Sequence, residues 1–221
     1  MKKLLIGMVD TGVNPWHSHV RGEVRGCRLY VNGSGKICED SDFSDPIGHG
    51  TAVAGVLRQA LPAADLFVVR VFDDRLSTYP SLLARGILRA AAEGCDVINL
   101  SCSVPSGPGT ELIADACAAA YQAGSILVAA GQPGRAGLMP ASLPDVFAVI
   151  AADEFDHDQI ELQGSGPYPC RAQGLPRQLD NVPPGSNLSG DSLACARVTA
   201  YLARRNEPLL AGFLATIWAI T

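Results

Sequence analysis

Leu4-Leu5-Ile6-Gly7-Met8-Val9-Asp10-Thr11-Gly12 is the stretch on which the fold of this chain turns. An apolar run leads straight into a carboxylate, a hydroxyl and a glycine. The run does not alternate between apolar and polar residues, as a half-exposed strand would. It reads as a strand covered on both faces, the kind found inside a parallel sheet. Asp65–Val71, Asp96–Leu100, Ser125–Ala130 and Val146–Ala151 have the same texture. Between these runs lie Ala- and Leu-rich stretches of helical character: Gly50–Ala60, Ser81–Glu93, Glu111–Ala123 and Asp191–Arg204. Gly94 and Gly124 stand where helix C-termini are expected. Strands alternating with helices give an α/β fold, doubly wound, with a mostly parallel central sheet and helices on both faces. No repeat or linker divides the chain, so residues 1–221 are expected to form a single domain. Ligands in such folds sit beyond the C-terminal ends of the strands, and Asp10 closes the first strand.

The irregular stretches are expected at Asn32–Ile47, Ser103–Thr110, Gln132–Pro144 and Gly164–Ser189. The last is long and rich in Gly and Pro, as functional loops often are. The tail Pro208–Thr221 is strongly apolar and reads as a final helix packed on the body. A protein partner on that tail is the alternative.

Composition narrows the function classes. The 221 residues are 48% hydrophobic and 18% charged, with a formal net charge of −5. That balance favours a compact core over disorder and gives no reason to expect nucleic acid as a partner. No stretch reaches the roughly 20 apolar residues that span a bilayer, so no membrane partner is expected. Lys2 and Lys3 ahead of an apolar run resemble a secretory signal. The run, however, lacks a small-residue cleavage site and leads directly into Asp10, so a cytoplasmic location is the default. The seven cysteines are odd in number and include no CxxC pair. No metal or other cofactor is therefore expected, and most thiols read as small buried hydrophobes in a reducing compartment. Cys27 and Cys38 flank a Gly-containing turn, which leaves a disulfide between them open.

Three short motifs carry the chemistry: Asp10-Thr11-Gly12, His49-Gly50-Thr51 and Gly190-Asp191-Ser192. Taken singly, Asp10 reads as a turn residue, His49 as a core histidine and Ser192 as a helix cap. Together they supply what nucleophilic acyl transfer needs. A serine hydroxyl is a weak nucleophile until a base takes its proton, and that base needs an orienting partner. Asp10 would fix the tautomer of His49, and His49 would exchange the Ser192 proton with the leaving group.

At these residues the chain resembles the subtilisin-like serine protease family. Asp10-Thr11-Gly12-Val13 with His17 resembles the aspartate box. Gly48-His49-Gly50-Thr51-Ala52-Val53-Ala54-Gly55 resembles the histidine helix, with Ala52 where a second histidine is usual. Asp96-Val97-Ile98-Asn99-Leu100-Ser101 resembles the strand that lines the pocket for the residue preceding the scissile bond and pairs with substrate backbone. Ala129-Ala130-Gly131 resembles the approach to the oxyanion residue, and Gly190-Asp191-Ser192-Leu193-Ala194 the nucleophile box. The resemblance covers about residues 4 to 205, with every box in family order. It implies catalytic Asp10, His49 and Ser192, and an oxyanion hole from Gln132 and the Ser192 N–H. It also implies substrate binding by Leu100, Ser101, Cys102, Ser103, Ala130 and Gly131, with a peptide or protein as substrate.

The departures from that pattern are specific. Gln132 stands where asparagine is usual, and loss of the oxyanion donor in a subtilisin costs about 10²–10³ in rate. Asp191 replaces a threonine beside the nucleophile. Its carboxylate opposes a forming oxyanion unless it points away, is paired or is protonated, and capping the Ser192 helix is one way out. Ala196 and Arg197 replace proline and histidine, and Cys102 and Ser103 replace leucine and glycine, which would narrow the groove. The stretch from Leu57 to Asp65 is too short for a calcium loop. The acidic run Glu39–Asp45 reads as a solvated loop rather than a cation site, with Asp45 a candidate contact for a basic substrate side chain. A form without the propeptide of secreted members is expected, and with a short region after Ser192 the C-terminal strands are expected to be curtailed. The resulting expectation is a selective serine endopeptidase acting through an acyl-enzyme, with leader removal from a ribosomally made peptide as the suggested task. The alternatives are an inactive peptide-binding module and an acyl-transferring ligase or cyclase.

Overall fold

The computed structural model describes residues 3–74, 76–135, 137–162, 169–180, 182–183 and 187–205. In chain order the elements are β1 (Leu5–Asp10), β2 (Val24–Val31), β3 (Ile37–Asp40), α1 (His49–Ala60), β4 (Asp65–Arg70), α2 (Pro80–Ala92), β5 (Val97–Leu100), β6 (Val104–Pro105), α3 (Glu111–Gln122), β7 (Ile126–Ala130), β8 (Leu138–Met139), β9 (Val146–Ala151), β10 (Ile160–Glu161), β11 (Cys170–Ala172) and α4 (Asp191–Arg205). The strands and helices expected up to Arg204 form, each within about a residue of the boundaries read from the sequence. The tail expected to form a final helix lies outside the described residues, as does part of the loop expected at Gly164–Ser189.

Nine strands make one sheet in the order β10-β11-β9-β7-β5-β1-β4-β2-β3. Every pairing from β11 through β2 is parallel, while β10 and β3 join antiparallel at the two edges. Side chains on a strand alternate between faces, so a strand covered on both sides must be apolar throughout. In β1, Ile6 and Met8 enter a core shared with α1 and α4. Leu5 and Val9 enter a second core shared with α2 and α3. This division of one apolar run between two cores is the physical basis of the doubly wound arrangement.

Two expectations about the loops change. Asn32–Ile47 is not wholly irregular, because β3 pairs with β2 in a hairpin at the sheet edge. A two-stranded ladder, β6 with β8, also joins the segments expected to be irregular after β5 and β7. All seven cysteines are free thiols. Cys38 lies opposite Tyr30 in the hairpin, whereas Cys27 pairs with Val69 of β4, so the register keeps the two cysteines apart. Among the described residues, no helix is long and apolar enough to cross a membrane.

Candidate active site

The adjacent strands β7, β5 and β1 end in one row. Gln132, Ser101 and Asp10 therefore come together along the C-terminal edge of the sheet. Helices α1 and α4 pack on one face with their N-termini at that edge, and they carry His49 and Ser192 as their first and second residues. Asp10 is 1% exposed. Its Oδ1 accepts from the Thr11 N–H and lies 2.7 Å from His49 Nδ1. Its Oδ2 is buried with no hydrogen-bond partner among the described residues. The Asp10 charge is thus answered chiefly by the imidazole. The nearby carboxylate raises the His49 pKa above its ordinary 6.5, against the opposing effect of burial. Gly50 makes the approach possible, since a Cβ there would lie 2.1 Å from the Gly12 carbonyl oxygen and 3.1 Å from Asp10 Oδ1.

Asp45 is not available to a substrate. Its Oδ1 accepts from the Thr11 hydroxyl at 2.9 Å, the Ile47 N–H at 3.1 Å and the Gly48 N–H at 2.8 Å. Its Oδ2 accepts from the Thr51 N–H at 2.8 Å and the Thr51 hydroxyl at 2.6 Å. Gly48, at the cap position of α1, has no side chain to satisfy the helix N-terminus. The Asp45 carboxylate does so from three residues upstream, in line with the attraction of such N-termini for anions. The Thr11 hydroxyl also accepts from the Gly50 N–H at 2.9 Å, which ties the Asp10 loop to the His49 helix. Burial opposes the Asp45 charge, but the hydrogen bonds from Thr51, Gly48 and Thr11 outweigh it, and the pKa lies below 3.8. The rest of the acidic run is paired within the chain. Arg28 bonds Asp40, and both Arg28 and Arg70 lie 3.6 Å from Asp42. Among the described residues, no cluster of candidate metal ligands occurs.

The nucleophile helix is held by a buried polar network. The Ser192 hydroxyl donates to the Ser101 carbonyl at 3.1 Å, and the Ser101 hydroxyl returns a bond to the Ser192 carbonyl at 3.0 Å. Asn99 is fully buried behind them. Its amide donates to the Ser101 hydroxyl at 2.8 Å, and its oxygen accepts from Thr199 at 2.9 Å and from the Cys195 thiol at 3.4 Å. Asn99 thus joins β5 to two positions of α4. The sequence offered one signal for this role, a polar residue inside an otherwise apolar strand.

Asp191 does not cap the Ser192 helix. Its Oδ1 accepts from the Ala151 N–H at 2.7 Å, which pins the start of α4 to the end of β9, and burial raises its pKa above 3.8. Arg197 is also buried. Its guanidinium donates to the carbonyls of Gln173 at 3.0 Å, Leu175 at 2.8 Å and His157 at 3.3 Å, so it fixes segments beside α4.

The residues expected to bind substrate differ in what they expose. The side chains of Leu100 and Ala130 are packed in the two cores and do not face a groove. The Gly131 N–H donates to the Val149 carbonyl at 2.7 Å, within the sheet. Cys102 turns inward, with its thiol 3.7 Å from the Val9 carbonyl. Burial and the Asp10 charge push its pKa well up. Ser101 and Ser103 remain at the strand end. Gln132 is exposed, and its Oε1 accepts from Arg135 at 3.2 Å. Trp16 and Tyr79 are 91% and 62% exposed.

With this geometry in place, comparison with known proteins is decisive. The family model described as "Subtilase family" matches residues 1–209. The chain belongs to the subtilase family. It is 31% identical over 163 residues to subtilisin DY of Bacillus licheniformis, covering 67% of this chain and 56% of that protein. It is 33% identical over 214 residues to the thermostable alkaline protease of Halalkalibacterium halodurans, covering 90% of this chain and 55% of that one. This subtilase chain therefore spans about half the length of the curated relatives it matches. Among solved structures, the epidermin leader peptide processing serine protease of Staphylococcus aureus has the same fold, with a TM-score of 0.70 at 20% identity. The match covers 91% of this chain and 64% of that one.

Proposed function

We propose that this subtilase is a serine endopeptidase that cleaves peptide bonds through an acyl-enzyme. The observation that carries the reading is the 2.7 Å contact between buried Asp10 and His49 Nδ1 at the sheet edge where α4 presents Ser192. Asp10 fixes the tautomer that leaves Nε2 as the base and stabilises the imidazolium once it forms. Catalysis begins as the Ser192 hydroxyl leaves the Ser101 carbonyl by rotation about its Cα–Cβ bond and gives its proton to His49. Oγ then attacks the substrate carbonyl carbon. The oxyanion is met by the Ser192 N–H, one of the first N–H groups of α4 and so without an intrahelical partner, and by the Gln132 amide. His49 returns the proton to the leaving amine, and water then releases the acyl group.

The proposed substrate class is a short ribosomally made precursor whose leader is removed. Leader processing is the task named for the staphylococcal protein of the same fold. A glutamine in place of the shorter amide, together with Asp191 beside the nucleophile, suits a selective enzyme better than a scavenging one. Hydrolysis is favoured over ligation because Gln132 is exposed, so water has access to the acyl-enzyme. Silenced chemistry is disfavoured by the intact Asp10–His49 pair. Reaction with a fluorophosphonate probe, located by mass spectrometry, tests the reading. Labelling confined to Ser192 and lost in both Ser192→Ala and His49→Ala is expected. A folded protein that fails to label would overturn it.

A further inference from the structure

The segment after β7 reads Gly131-Gln132-Pro133-Gly134-Arg135. The Arg135 N–H donates to the Gln132 carbonyl at 3.1 Å and closes a four-residue turn. Pro133 fixes the first central position, and Gly134, with φ +73°, takes the second. Proline followed by a residue at positive φ is the signature of a type II turn. The turn brings its first and fourth residues together, and Arg135 Nη1 donates to Gln132 Oε1 at 3.2 Å. A guanidinium carries donors only, so the amide atom that faces it must be the oxygen. The amide NH2 is thereby turned the other way.

We propose that Arg135 is a positioning residue for Gln132. It holds the amide oxygen back and presents the amide N–H to the developing oxyanion. The inference deepens the reading of Gln132 as an oxyanion donor and rests on it. Two properties of glutamine call for such a partner. Its stem has one more torsion than asparagine, and its amide ends in a donor on one side and an acceptor on the other. The flipped amide would set a carbonyl oxygen against a forming anion. Gln132 is exposed, so packing does not select the orientation. A hydrogen bond to a group that has no acceptor does select it. The signal was legible in the sequence as a Pro-Gly pair flanked by Gln and Arg.

The test uses phosphonylation by a fluorophosphonate. The Ser192 Oγ–P bond forms, the P–F bond breaks, fluoride leaves, and the Ser192 proton passes to His49. The phosphoryl oxygen occupies the oxyanion position, so the maximal labelling rate reads the donors, while the half-saturation concentration reads binding. Freezing the torsions of a released glutamine at the moment of reaction corresponds to a factor of about ten. Arg135→Ala is therefore expected to lower the maximal rate about tenfold at an unchanged half-saturation concentration, and Arg135→Lys to recover part of that loss. Gln132→Ala loses more, and Arg135→Ala adds nothing in that background. Thermal unfolding of each variant separates these effects from damage to the fold. An Arg135→Ala protein as fast as the parent overturns the proposal, as does an equal loss in both backgrounds. If Gln132→Ala is as fast as the parent while Ser192 still labels, the positioning proposal falls and the serine-hydrolase reading stands. If the folded parent does not label, both fall.

Discussion

Replacing Asp45 by asparagine tests whether one carboxylate holds the Asp10 loop against the His49 helix. Five donors converge on it from Thr11, Ile47, Gly48 and Thr51. Asparagine keeps the shape but offers one accepting oxygen in place of two. If its oxygen keeps the Thr11, Ile47 and Gly48 bonds, its NH2 faces the Thr51 N–H, donor against donor. One helix-terminal N–H then loses its partner, and the surviving bonds lose their ionic character. A bond to a charged group contributes about 1.5–3 kcal/mol and a neutral one about 1 kcal/mol, so the summed loss is about 2–3 kcal/mol after part of α1's N-terminus gains water. For a chain of this size that corresponds to a fall of about 5–10 °C in Tm. Urea unfolding of parent and variant measures it. The contribution also has a pH sign. The folded pKa of Asp45 lies below its ordinary 3.8, so the stabilisation is present in full above that value and disappears as pH falls through the folded pKa. The stability difference between parent and Asp45→Asn must therefore shrink under acid conditions. A difference below about 0.5 kcal/mol at neutral pH, the scatter of ordinary surface substitutions, would refute the reasoning. So would a difference that persists unchanged in acid.

The raised pKa of His49 sets the direction of a second effect. His49 must be neutral to act as a base, so the labelling rate of Ser192 should rise with pH through a value above 6.5, and a midpoint at or below 6.5 would contradict the Asp10 pairing. The same shift means that the charged pair stabilises the fold below 6.5 and that this contribution is lost as pH rises through the folded pKa. Asp45→Asn should move the rate midpoint to lower pH, because the Asp45 charge also raises the His49 pKa. Asp10→Asn leaves the packing intact but favours the wrong imidazole tautomer, and the labelling rate should fall by about 10⁴. Asn99→Ala removes the acceptor of the buried Thr199 hydroxyl and the donor to the Ser101 hydroxyl, which keeps its bond to the Ser192 carbonyl, and unfolding should show a loss of about 2 kcal/mol, whereas a loss under about 0.5 kcal/mol would mean the network is not a support for α4.

The parts of the fold legible in the sequence were those where one physical rule dominates. A strand between two cores must be apolar at every position, and β1, β4, β5, β7 and β9 announce themselves for that reason. The hairpin β2–β3 was hidden because it lies at the sheet edge. Cys27 and Leu29 face inward while Arg25 and Tyr30 are exposed, and Arg25, Gly26 and Arg28 break the apolar run. The catalytic candidates were legible from type and order, because few chemistries require that trio beside small residues. Their supports were not. Asp45 stands in an acidic run whose other members pair with arginines, and only the folded chain shows which carboxylate collects the helix N–H groups. Leu100 and Ala130 were assigned to substrate binding by resemblance to a family whose strand pairs with substrate backbone. A strand end can do that with its backbone while its side chains complete the core.

Asp191 shows how a residue that reads as a threat to catalysis is reconciled with it. A carboxylate next to the nucleophile would oppose the oxyanion if it faced the same way. Instead it reaches across to the Ala151 N–H, at the end of a strand two places from β5 in the sheet. That bond directs one oxygen toward β9 and holds the first turn of α4, so Ser192 gains an anchor on the side opposite its bonds to Ser101. Burial raises the Asp191 pKa above its ordinary value, against the opposing effect of the Ala151 N–H bond. With Gln132 bonded to Arg135 and Asp191 bonded to the end of β9, these two departures from the family pattern sit in specific hydrogen bonds. The structure thus keeps the paired base Asp10–His49, and the proposed acyl transfer draws its two oxyanion donors from Gln132 and the Ser192 N–H.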